Sequence, residues 1–418
     1  MHRTIARQRG IAFLAAFAAM SVISPFEYAW SAMSGPLGAL YGWSHERIAL
    51  LFTLFVIFQS VGMLPGGLLR DRFGPRWTTV LAGIASGGGI WALTLGPSYA
   101  FVVTLWCIGS FFTGFVYNNA VTTGNKWFPD RRGLMTGLIA GAFSWGSLPF
   151  IFPIRAIPHG APVGVFIGVL HLMALVIGGV SVLAGLALRD PPAGWQPPRH
   201  PAVARPSTHQ YTLAEALGTW QMWALIVSFI LISSAGLAGM SKMVAYSNSF
   251  RFTATAATAA AGGIALANGF GKLVLGGLAD RLGPERVMIG SYILCGLLLF
   301  ATVAAGEAGA GALFVVAAIG AIFFWAALFA LFPIAVGHYF GEVSAGGTYG
   351  MLYAIAKGLG GVYGGILSTI LIVEHGFPFA ISVGGVMAIL AGMVIVPLRF
   401  APPRGPVAVG AVRARGTG

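Results

Sequence analysis

Residues 261–286, AGGIALANGFGKLVLGGLADRLGPER, read as an apolar helix that carries one cation, Lys272, and then breaks into a polar turn. With Asp280 at a membrane surface, Lys272 lies eight residues deeper, about 12 Å at the helical rise. Half of a hydrocarbon core measures about 15 Å. The ammonium therefore sits near the middle of a bilayer. A charge there costs about 3 kcal/mol on insertion scales, so it faces protein or a water-filled path. Lys272 is a candidate binding residue on that ground alone; the competing reading is a lysine bonded to helix carbonyls.

Composition extends the membrane reading to the whole chain. Of 418 residues, 57% are hydrophobic and 8% charged, with mean hydropathy +0.84. Soluble domains carry about a quarter charged residues. Sixty-one glycines suit helices that approach closely in lipid. Cys107 and Cys295 lie far apart in apolar runs and form no metal or disulfide pattern. The first apolar run, after Arg9, is too long for a signal-peptide core and reads as a first span.

The fold class expected is an all-α membrane protein of twelve transmembrane helices in two pseudo-symmetric six-helix halves. The spans fall near 11–33, 45–69, 77–96, 99–123, 133–156, 162–188, 220–241, 256–279, 287–305, 310–336, 348–373 and 377–398. This gives an N-terminal half at 1–188, a proline-rich basic linker at 189–219, a C-terminal half at 220–398 and a tail at 399–418. Of the 24 Lys and Arg residues, Arg47, Arg155, Lys242 and Arg251 fall on one side, and Lys272 and Lys357 within spans. The other eighteen fall on the side of the linker and both termini. That bias predicts a multi-pass protein of the cytoplasmic (inner) membrane with cytoplasmic termini. It also attributes the net charge of +13 to topology rather than to a nucleic-acid partner.

The halves repeat. Gly67-Leu-Leu-Arg-Asp71-Arg72-Phe-Gly74-Pro recurs as Gly276-Gly-Leu-Ala-Asp280-Arg281-Leu-Gly283-Pro, each copy after the second span of its half. A weaker echo joins Lys126-Trp-Phe-Pro-Asp130 to His338-Tyr-Phe-Gly-Glu342. Gly67 and Gly276 allow close helix contact. Asp71 and Asp280 are placed to cap a neighbouring helix N-terminus or to pair with loop arginines. With Arg72 and Arg281, they read as gating parts rather than substrate contacts.

These loops resemble the signature of the major facilitator superfamily, and the two six-span halves are similar to its architecture. Within it, Glu27-Tyr28-Ala-Trp30, Asn125-Lys-Trp-Phe-Pro-Asp-Arg-Arg-Gly133 and Leu148-Pro149-Phe150 resemble the oxalate/formate antiporter family and its monocarboxylate-transporting relatives. The resemblance implies that Lys272 and Lys357 bind substrate and that Tyr28, Tyr117, Phe143, Trp325 and Phe329 enclose a small carboxylate. The chain departs from that pattern where it has Lys272 for arginine, Glu27 for glutamine, and Phe143 and Phe329 for tyrosines. Lysine lacks the bidentate fork of arginine, and each phenylalanine lacks a hydroxyl donor. Such a site suits a monoanion better than a dianion.

Asn268, one turn from Lys272, is placed to orient an ammonium or a substrate oxygen but cannot titrate. The repeat puts Gln59 and Met63 at the places of Asn268 and Lys272 in span two, so this cation belongs to one half only. Lys357 lies at a similar depth in a glycine-rich helix, YGMLYAIAKGLGGVYGG; its alternative role is an ion pair with Glu27. Glu27 is the one acidic residue well inside a span, which leaves proton coupling and a static salt bridge as its two readings. His171, His338 and His375 are isolated and show no metal-ligand spacing. No phosphate loop or catalytic motif appears.

The expected function is secondary active transport of small organic anions, lactate- or pyruvate-like monocarboxylates, coupled to protons, by alternating access. No cofactor or metal is expected, the partners are a carboxylate anion, a proton and the lipid bilayer, and the working unit is a monomer. The alternatives are an oxalate/formate-type exchanger and a non-transporting carboxylate receptor. A receptor needs a sizeable soluble signalling domain, which the short proline-rich linker and tail do not supply.

Overall fold

The computed structural model describes residues 2–96, 98–158, 161–192, 195, 209–249 and 254–400. The middle of the expected linker (196–208), the tail from 401 and the expected outer residue Arg251 lie outside the described residues. All regular structure among the described residues is helical. Nine helical stretches among them are long and apolar enough to cross a membrane. Pro75–Ala92, Ala254–Leu282 and the run 345–375 complete twelve spans. Glycine and alanine are frequent in these three, and such small residues allow close packing.

Among the described residues, spans one, five, ten and eleven are broken. Span one consists of His2–Ile23, the single turn Pro25–Tyr28, and Trp30–Tyr41, so it runs past the expected end at 33. Pro25 has no N–H and cannot continue the ladder, and the Ser24 N–H reaches only to Ser21 O at 3.3 Å. Span five divides into Arg132–Trp145 and Leu148–Arg155, just ahead of Pro149. Span ten divides into Gly311–Trp325 and Leu328–Phe340, with Pro333 inside the second piece. Span eleven, Ala345–Val362, passes through a π-type turn at Tyr363–Leu367 into Ser368–His375. Proline and local unwinding are the ordinary causes of such breaks.

The two halves meet along two crossed pairs. Span two, His45–Phe73, lies along span eleven, and span eight, Ala254–Leu282, lies along span five. Glycine makes the approach: a Cβ on Gly67 would stand 2.0 Å from Gly346 O, and one on Gly276 would stand 2.4 Å from Gly133 O. At the same level each loop aspartate crosses to the other half. Asp71 accepts from the N–H groups of Gly346 (3.3 Å) and Gly347 (2.7 Å). Asp280 accepts from those of Gly133 (2.6 Å) and Leu134 (2.9 Å). Both thus cap helix N-termini, where unsatisfied donors and the helix dipole favour a carboxylate.

The linker is fixed to both halves on this same face. Asp190 accepts from Arg70 (2.6 Å) and Lys126 (3.1 Å). At the other end, Gln210 Oε1 accepts from the N–H groups of Glu342 (2.8 Å) and Val343 (3.2 Å). A short helix, Leu213–Leu217, follows with a reciprocal Thr212–Glu215 cap. The Thr212 bonds hold the Glu215 carboxyl below its usual range.

Candidate functional site

The helix breaks bring the site residues together. Glu27 and Tyr28 stand on the isolated turn of span one, and Phe143 and Ser144 close the first piece of span five. Trp325 and Phe329 bracket the break in span ten. Lys272 and Lys357 approach from unbroken helix on spans eight and eleven, and each is 1% exposed. Interrupted helices are where membrane carriers hold polar ligands, because backbone and side chains there can turn toward a cavity.

Each ammonium bonds across the interface between the halves. Lys272 Nζ donates to Ser144 Oγ at 2.7 Å and to Ala140 O at 3.4 Å. Lys357 Nζ donates to Glu27 Oε2 at 3.1 Å and to Gln59 Oε1 at 3.0 Å. Asn268 Nδ2 donates to the Tyr28 oxygen at 3.0 Å, and Asn268 Oδ1 accepts from Ser144 at 3.3 Å. One lysine is thus paired with a carboxylate, and the other rests on neutral oxygens.

Aromatic rings surround these groups. Phe329 lies between the cations, its centroid 4.8 Å from Lys272 Nζ and 5.7 Å from Lys357 Nζ. Tyr353 lies 5.3 Å from Lys357 Nζ and Tyr28 6.0 Å from Lys272 Nζ. Edge contacts run from Tyr28 to Phe143 (5.6 Å) and from Phe143 to Tyr117 (5.3 Å), and a tilted contact joins Tyr117 to Tyr353 (5.4 Å). A ring face attracts a desolvated cation, so the belt holds the ammonium groups without neutralising them. Trp325 takes a position behind the belt. It meets Phe329 edge-on at 5.4 Å, and its indole N–H donates to Ile232 O at 2.8 Å.

Gln59, Ser144, Tyr349 and Tyr353 are the polar neighbours that sequence reasoning left out of the site. Two signals pointed to them. Gln59 is the repeat partner of Asn268, and Tyr353 stands one helical turn before Lys357. Of the residues expected to gate, Gly67, Asp71, Gly276 and Asp280 gather where the halves meet, but Arg72 and Arg281 are exposed and form no ion pair among the described residues. Arg70, Lys126 and Arg132 take the place expected of them: Arg70 bonds Asp71 at 3.2 Å, and Arg132 pairs with Glu342 across the halves. His171 bonds Thr94 (2.9 Å), His338 faces Glu285 (3.4 Å) and His375 faces Glu374 (3.8 Å). Cys107 and Cys295 are buried and free, and no metal-binding cluster occurs among the described residues.

Two halves joined at glycine-lined crossings, with a buried charged site between broken helices, define a polytopic carrier. The chain belongs to the Major Facilitator Superfamily, whose description it matches over residues 10–264 and 224–417; it is a transporter rather than an enzyme. It is similar to the oxalate:formate antiporter of Oxalobacter formigenes, at 28% identity over 89% of this chain and 87% of that one. Apicoplast pyruvate carrier 1 of Toxoplasma gondii is 26% identical over 73% of this chain and 66% of its own length. In fold it matches the transporter FucP in its outward conformation, with a TM-score of 0.72 at 14% identity, covering 94% of this chain and 99% of that one.

Proposed function

We propose that the protein is a proton-coupled carrier of small monocarboxylates, with Lys272 as the anion receptor and Glu27 as the proton-linked group. The observation that carries this reading is the unequal pairing of the two lysines. Lys357 has Glu27 at 3.1 Å, whereas the bonds of Lys272 are to Ser144 and a carbonyl. Two cations and one carboxylate leave the site at +1, the complement of a monoanion. Asn268 and Ser144, bonded to each other beside Lys272, are placed to orient a carboxylate oxygen. The similarity to a pyruvate carrier supports the substrate class.

Glu27 supplies the coupling. Ionised, it holds Lys357 and weakens attraction for a second anion. Protonated, it releases Lys357, so proton and substrate each favour the binding of the other by linkage. Transport then follows from rocking of the halves about the site. The face sealed by Asp71, Asp280 and the Arg132–Glu342 pair is the cytoplasmic face in this reading. Units 1–188 and 220–398 are the moving halves, joined by the linker 189–219.

Purified protein in liposomes tests the proposal. An inward proton gradient is expected to drive accumulation of lactate or pyruvate, with oxalate binding more weakly at neutral pH. Tighter binding of oxalate than of any monocarboxylate reverses the order. The second reading is oxalate/formate-type exchange, supported by similarity to the antiporter. It predicts uptake that needs internal anion and ignores the proton gradient.

A further inference from the structure

The aromatic belt holds a cluster of three buried tyrosine hydroxyls with hydrogen-bonding capacity to spare. Tyr117 on span four and Tyr349 and Tyr353 on span eleven are at most 1% exposed; the hydroxyls of Tyr117 and Tyr349 have only each other as a neighbour to bond, and that of Tyr353 has no partner. They form one cluster. The Tyr117 and Tyr353 rings are 5.4 Å apart, those of Tyr349 and Tyr353 are 5.8 Å apart, and the phenol groups of Tyr117 and Tyr349 approach each other. The cluster adjoins the charges: Tyr353 lies 5.3 Å from Lys357 Nζ and 6.4 Å from the Phe329 ring, which in turn lies 4.8 Å from Lys272 Nζ. Tyr292, another buried hydroxyl without a partner, sits instead against Phe332 in the C-terminal half. Tyr28 in the belt has its oxygen bonded to Asn268.

A buried hydroxyl without a partner is unfavourable, and a ligand oxygen that accepts its proton removes that cost. The spare phenol proton of the Tyr117–Tyr349 pair and that of Tyr353, beside two cations, complement a ligand with acceptor oxygens beyond the group held by Lys272. An alkyl chain in the same place leaves them unpaired. We propose that Tyr117, Tyr349 and Tyr353 form a subsite for a second substrate oxygen. Building on the monocarboxylate reading above, this subsite selects 2-oxo and 2-hydroxy acids over the plain alkyl acids of the same length. Sites built to bond a substrate oxygen reject the analogue that lacks it much more strongly than apolar pockets reject a missing methylene. One net hydrogen bond corresponds to roughly fivefold in affinity, so more than one engaged hydroxyl gives about tenfold or more.

The test is a binding titration of the purified full chain with pyruvate, lactate and propionate. Wild type is compared with Tyr117→Phe, Tyr349→Phe, Tyr353→Phe and the triple variant, and melting temperature serves as the check on folding. Pyruvate and lactate are expected to bind about tenfold or more tightly than propionate, with that ratio falling toward one in the triple variant. If the triple variant does not fold, Tyr349→Phe alone carries the test, with the ratio reduced severalfold. Equal binding of pyruvate and propionate by wild type overturns the subsite. So does a ratio unchanged by the substitutions, which would mean that the hydroxyls serve water only. Absence of binding by all three acids, with Lys272→Gln equally inert, overturns the carrier reading itself and is distinguishable from both.

Discussion

Lys272 and Lys357 stand on two helices of the same half, yet their surroundings differ in kind. Both are 1% exposed, and both reach across to the N-terminal half. Lys357 meets a carboxylate and an amide oxygen; Lys272 meets a hydroxyl and a carbonyl. A buried charge without a counter-ion is costly even when hydrogen-bonded. The contrast separates two jobs that one charge count would merge. Under the proposed function, Lys357 with Glu27 is a closed pair that a proton opens, and Lys272 is a cation held ready for an anion.

The largest effect that tests this contrast is expected from Lys272→Gln. Losing a desolvated charge that binds a ligand ion costs about 2–5 kcal/mol, or at least roughly 30-fold in anion affinity. Saturable uptake should disappear while expression persists, and normal uptake would remove Lys272 from the site.

Lys357→Gln is next, and its damage has a different origin. It strands Glu27 as an unpaired, partly buried carboxylate; removing one partner of a fully buried pair costs about 3–5 kcal/mol, which bounds the loss from above. Uptake should again be abolished, but here the melting temperature should fall as well. Adding Glu27→Gln to it should recover most of the lost stability without recovering proton-driven uptake. A double variant as unstable as Lys357→Gln alone would show that the pair is not the source.

Glu27→Gln by itself mimics the protonated form. In wild type, apparent affinity should rise as pH falls. In the variant, binding should persist and this pH dependence should vanish, together with accumulation driven by a proton gradient. Retention of pH-dependent accumulation would leave Glu27 a static partner of Lys357.

The smallest effect belongs to the closed face, where Gly67→Ala and Gly276→Ala each place a methyl against a backbone carbonyl of the other half. Overpacking of this kind costs about 1–3 kcal/mol. Both substitutions should favour opening of that face and raise the labelling rate of cysteines introduced nearby. An unchanged labelling rate would mean that the crossing relaxes without parting.

The pattern of apolar runs, the repeat of Gly67–Asp71 at Gly276–Asp280 and the distribution of basic residues determined the twelve-helix class and its two halves. These are properties of short stretches: helix length, hydropathy and local polar turns follow from composition alone. The places of Lys272 and Glu27 within helical spans were legible for the same reason, since each is counted along one helix. Who meets whom was legible only as alternatives, the ion pair of Lys357 with Glu27 among them. The pairing of Lys357 with Glu27 joins residues far apart in the chain, and nothing local distinguishes it from a pairing of Lys272 with Glu27. The breaks at Pro25, at Gly146 and between Trp325 and Leu328 decided that question by aiming Glu27, Ser144 and Phe329 at the two lysines. Arg72 and Arg281 show the converse. Their motif is local and repeated, but the charge that closes the face comes from Arg70, Lys126 and Arg132, because only the packing of one half on the other selects which arginine meets a carboxylate.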